Sequence, residues 1–189
     1  LWTDRLLKPI INHIICDSEQ APFLMITSDH GECLYDSDNY FGHGYRVTNE
    51  ELHVPFMAGF LTSGKESTGI IDTAPVQSVD VAPTILSATG VEYSSEMRER
   101  NVLEPSELPV IIPFSCGHPP KFVGALSSDY KVVWSATGDS WTFYNLETDP
   151  GQLKPIKFPK NKVPETVASL FESAVEYKEI ASHRSIDQN

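Results

Sequence analysis

The sequence predicts an α/β fold on the strength of three observations. Residues 6–15 place apolar side chains at the three-and-four spacing of one helical face. Residues 23–27 are apolar without alternation, which is typical of a strand buried on both faces. Residues 167–177 return to helical spacing. The chain has 189 residues, of which 40% are hydrophobic, and this is enough for a packed core of helices and strands.

Local patterns predict the elements of the first part of the chain. Pro9 lies within the first helical pattern and removes a backbone donor, so we expect a kink or a helix that begins late. Residues 31–51 are polar and aperiodic, which predicts a long surface loop, and such loops inside a domain are usually functional. Residues 52–61 predict a second buried strand.

Local patterns also predict two helices, a short strand and a β-meander in the second part of the chain. A helix should follow residue 78, with Ser78 as its cap, Pro83 in its first turn or at a bend, and Gly90 as its stop. Three further patterns predict a short strand over residues 109–115, a β-meander over 123–136 and 141–146 turning at 137–139, and a terminal helix from near Pro164. We therefore divide the chain into a core region, residues 1–115, and a C-terminal subdomain, residues 116–189.

Composition excludes several classes of function. The formal charge is −12 and the basic residues form no cluster, so the chain is not expected to bind nucleic acid, whose backbone requires a basic surface. Three cysteines without a C-x-x-C spacing give no disulfide framework and no cysteine metal site. No apolar stretch reaches the roughly 18 residues of a membrane span.

The chemistry of the sequence is concentrated after the first predicted strand. Asp29-His30-Gly31 follows that strand directly, and α/β sheets place their sites at the carboxyl ends of strands. A carboxylate and an imidazole are ligands for a divalent cation, and the turn at Gly31 allows both to reach one ion. The alternative is structural: Asp29 caps the following turn, and His30 is a surface imidazole.

Several motifs occur in the order found in one enzyme family. Asp29-His30-Gly31 is followed by Gly42-His43-Gly44, by Val54-Pro55, and by Val79-Asp80-Val81-Ala82-Pro83-Thr84. Near the end come Tyr130-Lys131-Val132 and Phe143-Tyr144-Asn145-Leu146-Glu147-Thr148-Asp149-Pro150. Over roughly residues 1–155 this series resembles the carboxyl-terminal part of the sulfatase catalytic domain, in the alkaline phosphatase superfamily. The resemblance implies part of a mixed or parallel sheet flanked by helices, with a small C-terminal antiparallel hairpin and a terminal helix.

The resemblance also implies roles for particular residues. Asp29 and His30 would be ligands of a divalent metal, most often Ca²⁺ in sulfatases. His43 would contact the sulfate group of the substrate or protonate the leaving oxygen. His53 stands where the family often has arginine. The family's amino-terminal Asp pair and formylglycine nucleophile are not found here, and Cys116-Gly117-His118 does not fit the nucleophile signature. We therefore expect the C-terminal part of a longer domain, with half an active site, acting on a small-molecule or glycan sulfate ester.

Two alternatives stay open. Phosphodiesterases and phosphoethanolamine or phosphoglycerol transferases share the Asp-His-Gly strand and often bind Zn²⁺ or Mn²⁺, and imidazole favours Zn²⁺. A truncated sulfatase-like module without activity is the other. Among minor candidates, Glu32 would only order the loop and His118 is a weak substrate-loop residue. His13 and His183 are predicted at the surface. The acidic residues Asp36, Asp38, Glu50 and Glu51 lack calcium-loop spacing and predict a solvated loop.

Overall fold

The computed structural model of the protein describes residues 2–17, 20–35, 40–61, 74–94, 97, 101–104, 110–117, 119–159 and 161–184. The α-helices and strands of the described chain are α1 (Trp2–Asp17), β1 (Phe23–Ile26), β2 (Cys33–Leu34), β3 (Phe41–Gly42), α2 (Asn49–Leu52), β4 (Met57–Phe60), α3 (Val81–Ala88), β5 (Ile112–Cys116), β6 (Phe122–Leu126), β7 (Tyr130–Ser135), β8 (Ser140–Asn145), β9 (Ile156–Phe158) and α4 (Ala168–Arg184).

The chain divides into two compact units. The first comprises Leu1–Ser28, Pro55–Asp72 and Ser78–Pro105, and the second comprises Asp29–Val54, Thr73–Gln77 and Ser106–Asn189. The predicted boundary after residue 115 passes through β5, which pairs with β6 along its whole length.

In the first unit, α1 extends on both sides of Pro9. The helix begins at Trp2 and continues past Pro9, so the expectation of a late start is wrong. Its half-buried apolar positions are Leu7, Ile11, Ile14 and Ile15, which share one face, as the three-and-four spacing predicted.

The two strands of the first unit form an antiparallel pair. Phe23 lies opposite Phe60, and their rings meet edge to face at 5.2 Å between centroids. β1 has the predicted bounds within a residue, but β4 begins only at Met57, because Leu52 ends α2. Met57 and Phe60 are more than half exposed, so the prediction of a strand buried throughout residues 52–61 is wrong at these positions.

The α3 helix ends as predicted and begins slightly later. A 3₁₀ turn at Ser78–Asp80 leads into it, so Ser78 precedes the helix by a turn and does not cap it. Pro83 lies in the first turn, where its missing donor is not needed. Gly90 has a φ of +71°, the left-handed conformation that terminates helices.

The second unit is built on a five-stranded antiparallel sheet in the order β5-β6-β7-β8-β9. Successive side chains of a strand point to opposite faces, so Val132 and Val133 belong to different clusters. On one face, Ala125, Val132, Trp141 and Phe143 pack against α4 through its side chains at Leu170, Phe171 and Ala174. On the other, Phe114 and Val133 pack against Val47. The sheet therefore supports the chain segment that follows β3.

The C-terminal region is larger than the small hairpin that was predicted. The meander of β6, β7 and β8, its turn and the terminal helix are where the sequence placed them, but β5 and β9 extend the meander on both sides. All strand pairs among the described residues are antiparallel. The parallel pairs of the predicted mixed sheet are thus not among the described strands.

No helix in the described part of the chain is both long and apolar enough to cross a membrane.

Candidate functional site

The loop predicted over residues 31–51 contains regular structure that brings the candidate residues together. β2 and β3 pair antiparallel, with Cys33 opposite Gly42. Extending this register by one residue places Glu32 opposite His43, just beyond the end of the pair. Two short strands and α2 therefore replace much of the predicted surface loop. These three elements and the entire candidate site lie in the second unit.

Three side chains converge at this point. The rings of His30 and His43 stack, with centroids 3.9 Å apart and planes 27° from parallel. His43 Nδ1 lies 2.8 Å from Glu32 Oε2. His30 Nδ1 lies 2.9 Å from the carbonyl oxygen of Gly31. The structure thus brings together His30 and His43, which the sequence singled out, and adds Glu32, which it assigned only to loop order.

Asp29 is adjacent to the cluster but turned partly toward its own backbone. Its Oδ1 accepts a hydrogen bond from the backbone N–H of His30 at 3.0 Å, as a residue that caps a turn would do. Its Oδ2 lies 3.6 Å from His30 Nε2. A carboxylate oxygen and an imidazole nitrogen are therefore side by side on an exposed turn, which is compatible with the predicted pair of metal ligands.

A second donor set for a metal ion is also present. Single ligand atoms of His30, Glu32 and His43 all lie within 4.8 Å of one another. Two imidazoles and one carboxylate are typical zinc ligands, whereas Ca²⁺ takes six to eight oxygens. The described donors fit a divalent cation in kind, but neither set is complete for Ca²⁺.

Glu51 holds the two chain segments of the site in place. Its side chain is only 5% exposed, and its Oε2 accepts hydrogen bonds from the backbone N–H groups of Gly44 at 2.8 Å and Arg46 at 3.3 Å. Its own carbonyl oxygen accepts a hydrogen bond from Gly31 N–H at 2.8 Å. Glu51 thereby fixes the segments on both sides of the stacked histidines. The prediction that Glu51 belongs to a solvated acidic loop is wrong.

Two glycines allow the backbone positions that these hydrogen bonds of Glu51 require. A Cβ at Gly31 would lie 2.0 Å from the carbonyl oxygen of Glu50, so the approach of this segment to α2 requires glycine. Gly44 has a φ of +80°, which side chains rarely tolerate. The glycines of both motifs therefore have structural reasons that are independent of any ligand.

Cys116 lies beside the site, and its thiol is held in a hydrogen bond. Its thiol donates to the carbonyl oxygen of Gly44 at 3.1 Å. Burial, with a further contribution from the Glu51 carboxylate, raises the pKa of this thiol. Both effects favour the protonated form, so Cys116 has none of the properties of an activated nucleophile.

Lys131 is a further residue that the sequence did not single out for the site. It lies on β7 with no exposed surface, and its Nζ donates to the carbonyl oxygen of Val47 and to Gln152 Oε1. Burial lowers its pKa to about 7. Its contacts attach the segment after His43 and Gly44 to the five-stranded sheet.

The remaining candidates are not part of this cluster. His53 follows α2 and is exposed, and His13 is exposed on α1, as predicted. His118, Asp36 and Asp38 lie outside the described residues, as does the side chain of His183.

Comparisons with known proteins identify a matching family model and several solved structures of similar fold. Residues 1–91 match the sulfatase family model. No curated protein matches the chain. Among solved structures, one protein in complex with its substrate D-glucosamine-2-N,6-O-disulfate matches with a TM-score of 0.65 and 21% identity, over 98% of this chain and 39% of the other.

Two further solved structures match over 87% of this chain and 37% of their own. One is a putative sulfatase from Bacteroides thetaiotaomicron VPI-5482, with a TM-score of 0.61 and 18% identity. The other is a 2-O GAG sulfatase, with a TM-score of 0.61 and 19% identity. The chain thus spans about two fifths of the length of the solved structures that it matches. Residues 1–91 carry the sequence pattern of the sulfatase family, and the chain has the fold of sulfatase structures, as its motifs predicted.

Proposed function

We propose that this chain is the C-terminal part of a sulfuric ester hydrolase that acts on a sulfated sugar. The observation that carries the proposal is the stacking of His30 on His43 at 3.9 Å beside Asp29, at the position where the sulfatase motifs place a metal ligand and a substrate contact. Two of the solved structures with this fold concern sulfated sugars, one as a bound disulfated glucosamine and one as a 2-O GAG sulfatase. This likeness supports a sulfated sugar as the class of substrate.

His43 is proposed as the group that meets the substrate. Hydrolysis of a sulfate ester breaks the bond between sulfur and the ester oxygen, and that oxygen leaves as an alcohol once it has gained a proton. The exposed imidazole of His43 can donate this proton, or can hydrogen-bond the sulfate oxygens. The nucleophile that attacks sulfur is proposed to lie outside the described chain, in the amino-terminal part of the domain.

Asp29 and His30 are proposed to hold a divalent cation, with Ca²⁺ as the first choice. When bound, the cation would neutralise negative charge on the sulfate group. Asp29 supplies carboxylate oxygens. His30 has its Nδ1 beside the Gly31 carbonyl, which leaves Nε2, 3.6 Å from Asp29 Oδ2, to bind the cation. The further oxygen ligands that Ca²⁺ requires are proposed to come from the amino-terminal part of the domain.

A second candidate function is phosphoryl chemistry with Zn²⁺. It is favoured by one observation, the nearness of two imidazoles and a carboxylate at His30, His43 and Glu32. Such a donor set suits Zn²⁺ better than Ca²⁺. A phosphodiester would then be the substrate in place of the sulfate ester.

The test uses the purified full-length protein containing this chain. Its metal content is measured first, and hydrolysis of glucosamine 6-sulfate, 4-nitrophenyl sulfate and bis-4-nitrophenyl phosphate is then compared after chelation and reloading with Ca²⁺ or Zn²⁺. We expect the sulfate esters to be cleaved in the Ca²⁺ form. Asp29→Ala should lose both metal and activity, with a fall in kcat of about a hundredfold or more.

Asp129→Ala is the matched control, because Asp129 is an exposed aspartate in the turn between β6 and β7. It should leave metal content and activity unchanged. Cleavage of the phosphodiester alone would favour the second candidate. Full metal occupancy and full activity in Asp29→Ala would overturn the assignment of Asp29, and a metal-loaded protein that cleaves none of the esters would support a non-catalytic module.

A further inference from the structure

We propose that Glu32 is a positioning residue, which holds the imidazole of His43 in the tautomer and orientation that leave Nε2 to meet the substrate. The proposal rests on the proposed role of His43 and adds a residue to it. Glu32 and His43 are 11 positions apart in the chain. The register of β2 and β3 places them opposite each other.

The hydrogen bond between these side chains selects one tautomer. His43 Nδ1 lies 2.8 Å from Glu32 Oε2. An ionised carboxylate only accepts hydrogen bonds, so the hydrogen must lie on Nδ1. Nε2 then lies at the far side of the ring from Glu32, with the lone pair in the neutral imidazole and with the second hydrogen in the imidazolium form that can protonate the ester oxygen. Nε2 is therefore the nitrogen available to the substrate.

Three other contacts restrain the same ring and its backbone. Stacking on His30, at 3.9 Å and 27°, fixes the plane of the His43 ring. Tyr40 Oη donates to the carbonyl oxygen of His43 at 3.4 Å, and the next residue, Gly44, is held by the Glu51 carboxylate. None of these contacts distinguishes Nδ1 from Nε2. Only the hydrogen bond to Glu32, among the described contacts of the ring, prevents a half-turn that would exchange the two nitrogens.

The stacked geometry separates this role from that of a metal ligand. If His30, Glu32 and His43 shared one ion, the lone pairs of both imidazoles would have to converge on it. Nearly parallel rings, stacked face to face, direct their lone pairs side by side, so at least one ring would have to leave the stack. The observed hydrogen bond needs no such movement.

The contact is also suited to a test that leaves the fold intact. The Glu32 side chain is 37% exposed, and contacts between partly exposed polar side chains contribute little to stability. Replacing it should shift the melting temperature by less than about 2 °C. Changes at His43 can then be assigned to the lost partner. The matched control is Glu147→Gln, the same chemical change at an exposed glutamate in the turn after β8.

The experiment measures the tautomer of His43 directly in the full-length protein. Histidine is labelled with ¹⁵N, the His43 signals are assigned by their loss in His43→Gln, and the two ring nitrogens are identified by their chemical shifts. The unsubstituted protein should carry hydrogen on Nδ1. Glu32→Ala should shift the population toward hydrogen on Nε2. Glu32→Gln should retain more of the original tautomer, because the amide oxygen still accepts the hydrogen bond.

Kinetic and metal measurements complete the test. With a sulfate ester as substrate, kcat should fall about 10- to 100-fold in Glu32→Ala and less in Glu32→Gln, while KM changes by no more than about twofold. Metal content should be unchanged in both variants. Loss of metal would overturn the proposal by making Glu32 a ligand, and an unchanged tautomer in Glu32→Ala would overturn it as well. If the unsubstituted protein cleaves no sulfate ester, the proposed function fails, but the tautomer still decides the role of Glu32.

Discussion

The two compact units of the chain differ in how they bury apolar side chains. In the second unit, the five-stranded sheet and α4 enclose Val123, Ala125, Val132 and Ala174 completely. In the described part of the first unit, Pro83 is the only apolar side chain buried to this degree, beside the polar Asp80 and Thr84. There, α1 exposes Trp2, Leu6 and Ile10 at 78%, 61% and 56% of their surface.

The difference shows what an apolar pattern requires besides its spacing. Both units have amphipathic helices and apolar strands, so their sequences predict similar degrees of burial. A sheet of five strands can cover one face with its own helix, whereas a two-stranded pair is too small to form an independent core. The second unit therefore has a core of its own, and substitutions there should have the larger effects on stability.

The largest effect should come from Phe171→Ala on α4. The Phe171 ring packs edge to face on Trp141 at 4.7 Å and on Phe158 at 5.8 Å. Removal of this ring leaves a cavity in the core, and the free energy of unfolding should fall by about 3–5 kcal/mol. Urea unfolding followed by circular dichroism measures the change.

Leu6→Ala on α1 is the comparison in the first unit. Because Leu6 is 61% exposed, this substitution should change the free energy of unfolding by less than about 0.5 kcal/mol. Equal effects of the two substitutions would show that the difference in burial does not translate into stability.

A smaller effect is expected from adding one methyl group to a strand of each unit. A Cβ at Gly124 in β6 would lie 2.2 Å from the Val132 carbonyl oxygen and 2.6 Å from the Phe114 ring. Gly124→Ala should therefore destabilise the protein by about 1–3 kcal/mol through overpacking. A Cβ at Gly59 in β4 would meet no atom within 4 Å, so Gly59→Ala should be neutral or slightly stabilising. Thermal unfolding of both variants measures the two changes in stability. A larger loss in Gly59→Ala than in Gly124→Ala would contradict the difference between the units.

The elements that depend on short sequence patterns were predictable. The meander and terminal helix of the second unit depend on strand and turn patterns within a few residues, and these were found. The extent of the sheet was not, because β9 has only three residues and no recognisable pattern. The start of β4 was misplaced because Leu52 is apolar but ends α2. The burial predicted for the first unit depends on partner surfaces that a linear pattern does not contain.

The candidate site was predictable only in its motif residues. His30 and His43 were singled out because each is adjacent to glycine in a family motif, and the structure places their rings in contact. Glu32 and Glu51 act through contacts 11 and 7 residues away, which follow from the β2–β3 register and from α2. No local pattern around Lys131 predicts its burial, since lysine is rarely buried without a partner.

The last prediction concerns the dependence of stability on pH through Lys131. Burial within the second unit lowers the pKa of this amine from 10.5 to about 7, against a weaker opposing effect of Glu50. Between these two values the unfolded chain binds a proton that the folded chain does not, so stability should rise with pH, by at most about 1.4 kcal/mol per pH unit. Below pH 7 the amine is protonated in both states, and this contribution no longer varies.

Urea unfolding between about pH 6 and pH 8.5 should show the rise in the unsubstituted protein and its absence in Lys131→Met. Lys157→Met, at an exposed lysine on β9, is the control and should retain the slope. Hydrogen exchange should locate the change in the five-stranded sheet and leave the β1–β4 pair unaffected. An identical slope in Lys131→Met would show that burial of this amine is not its cause.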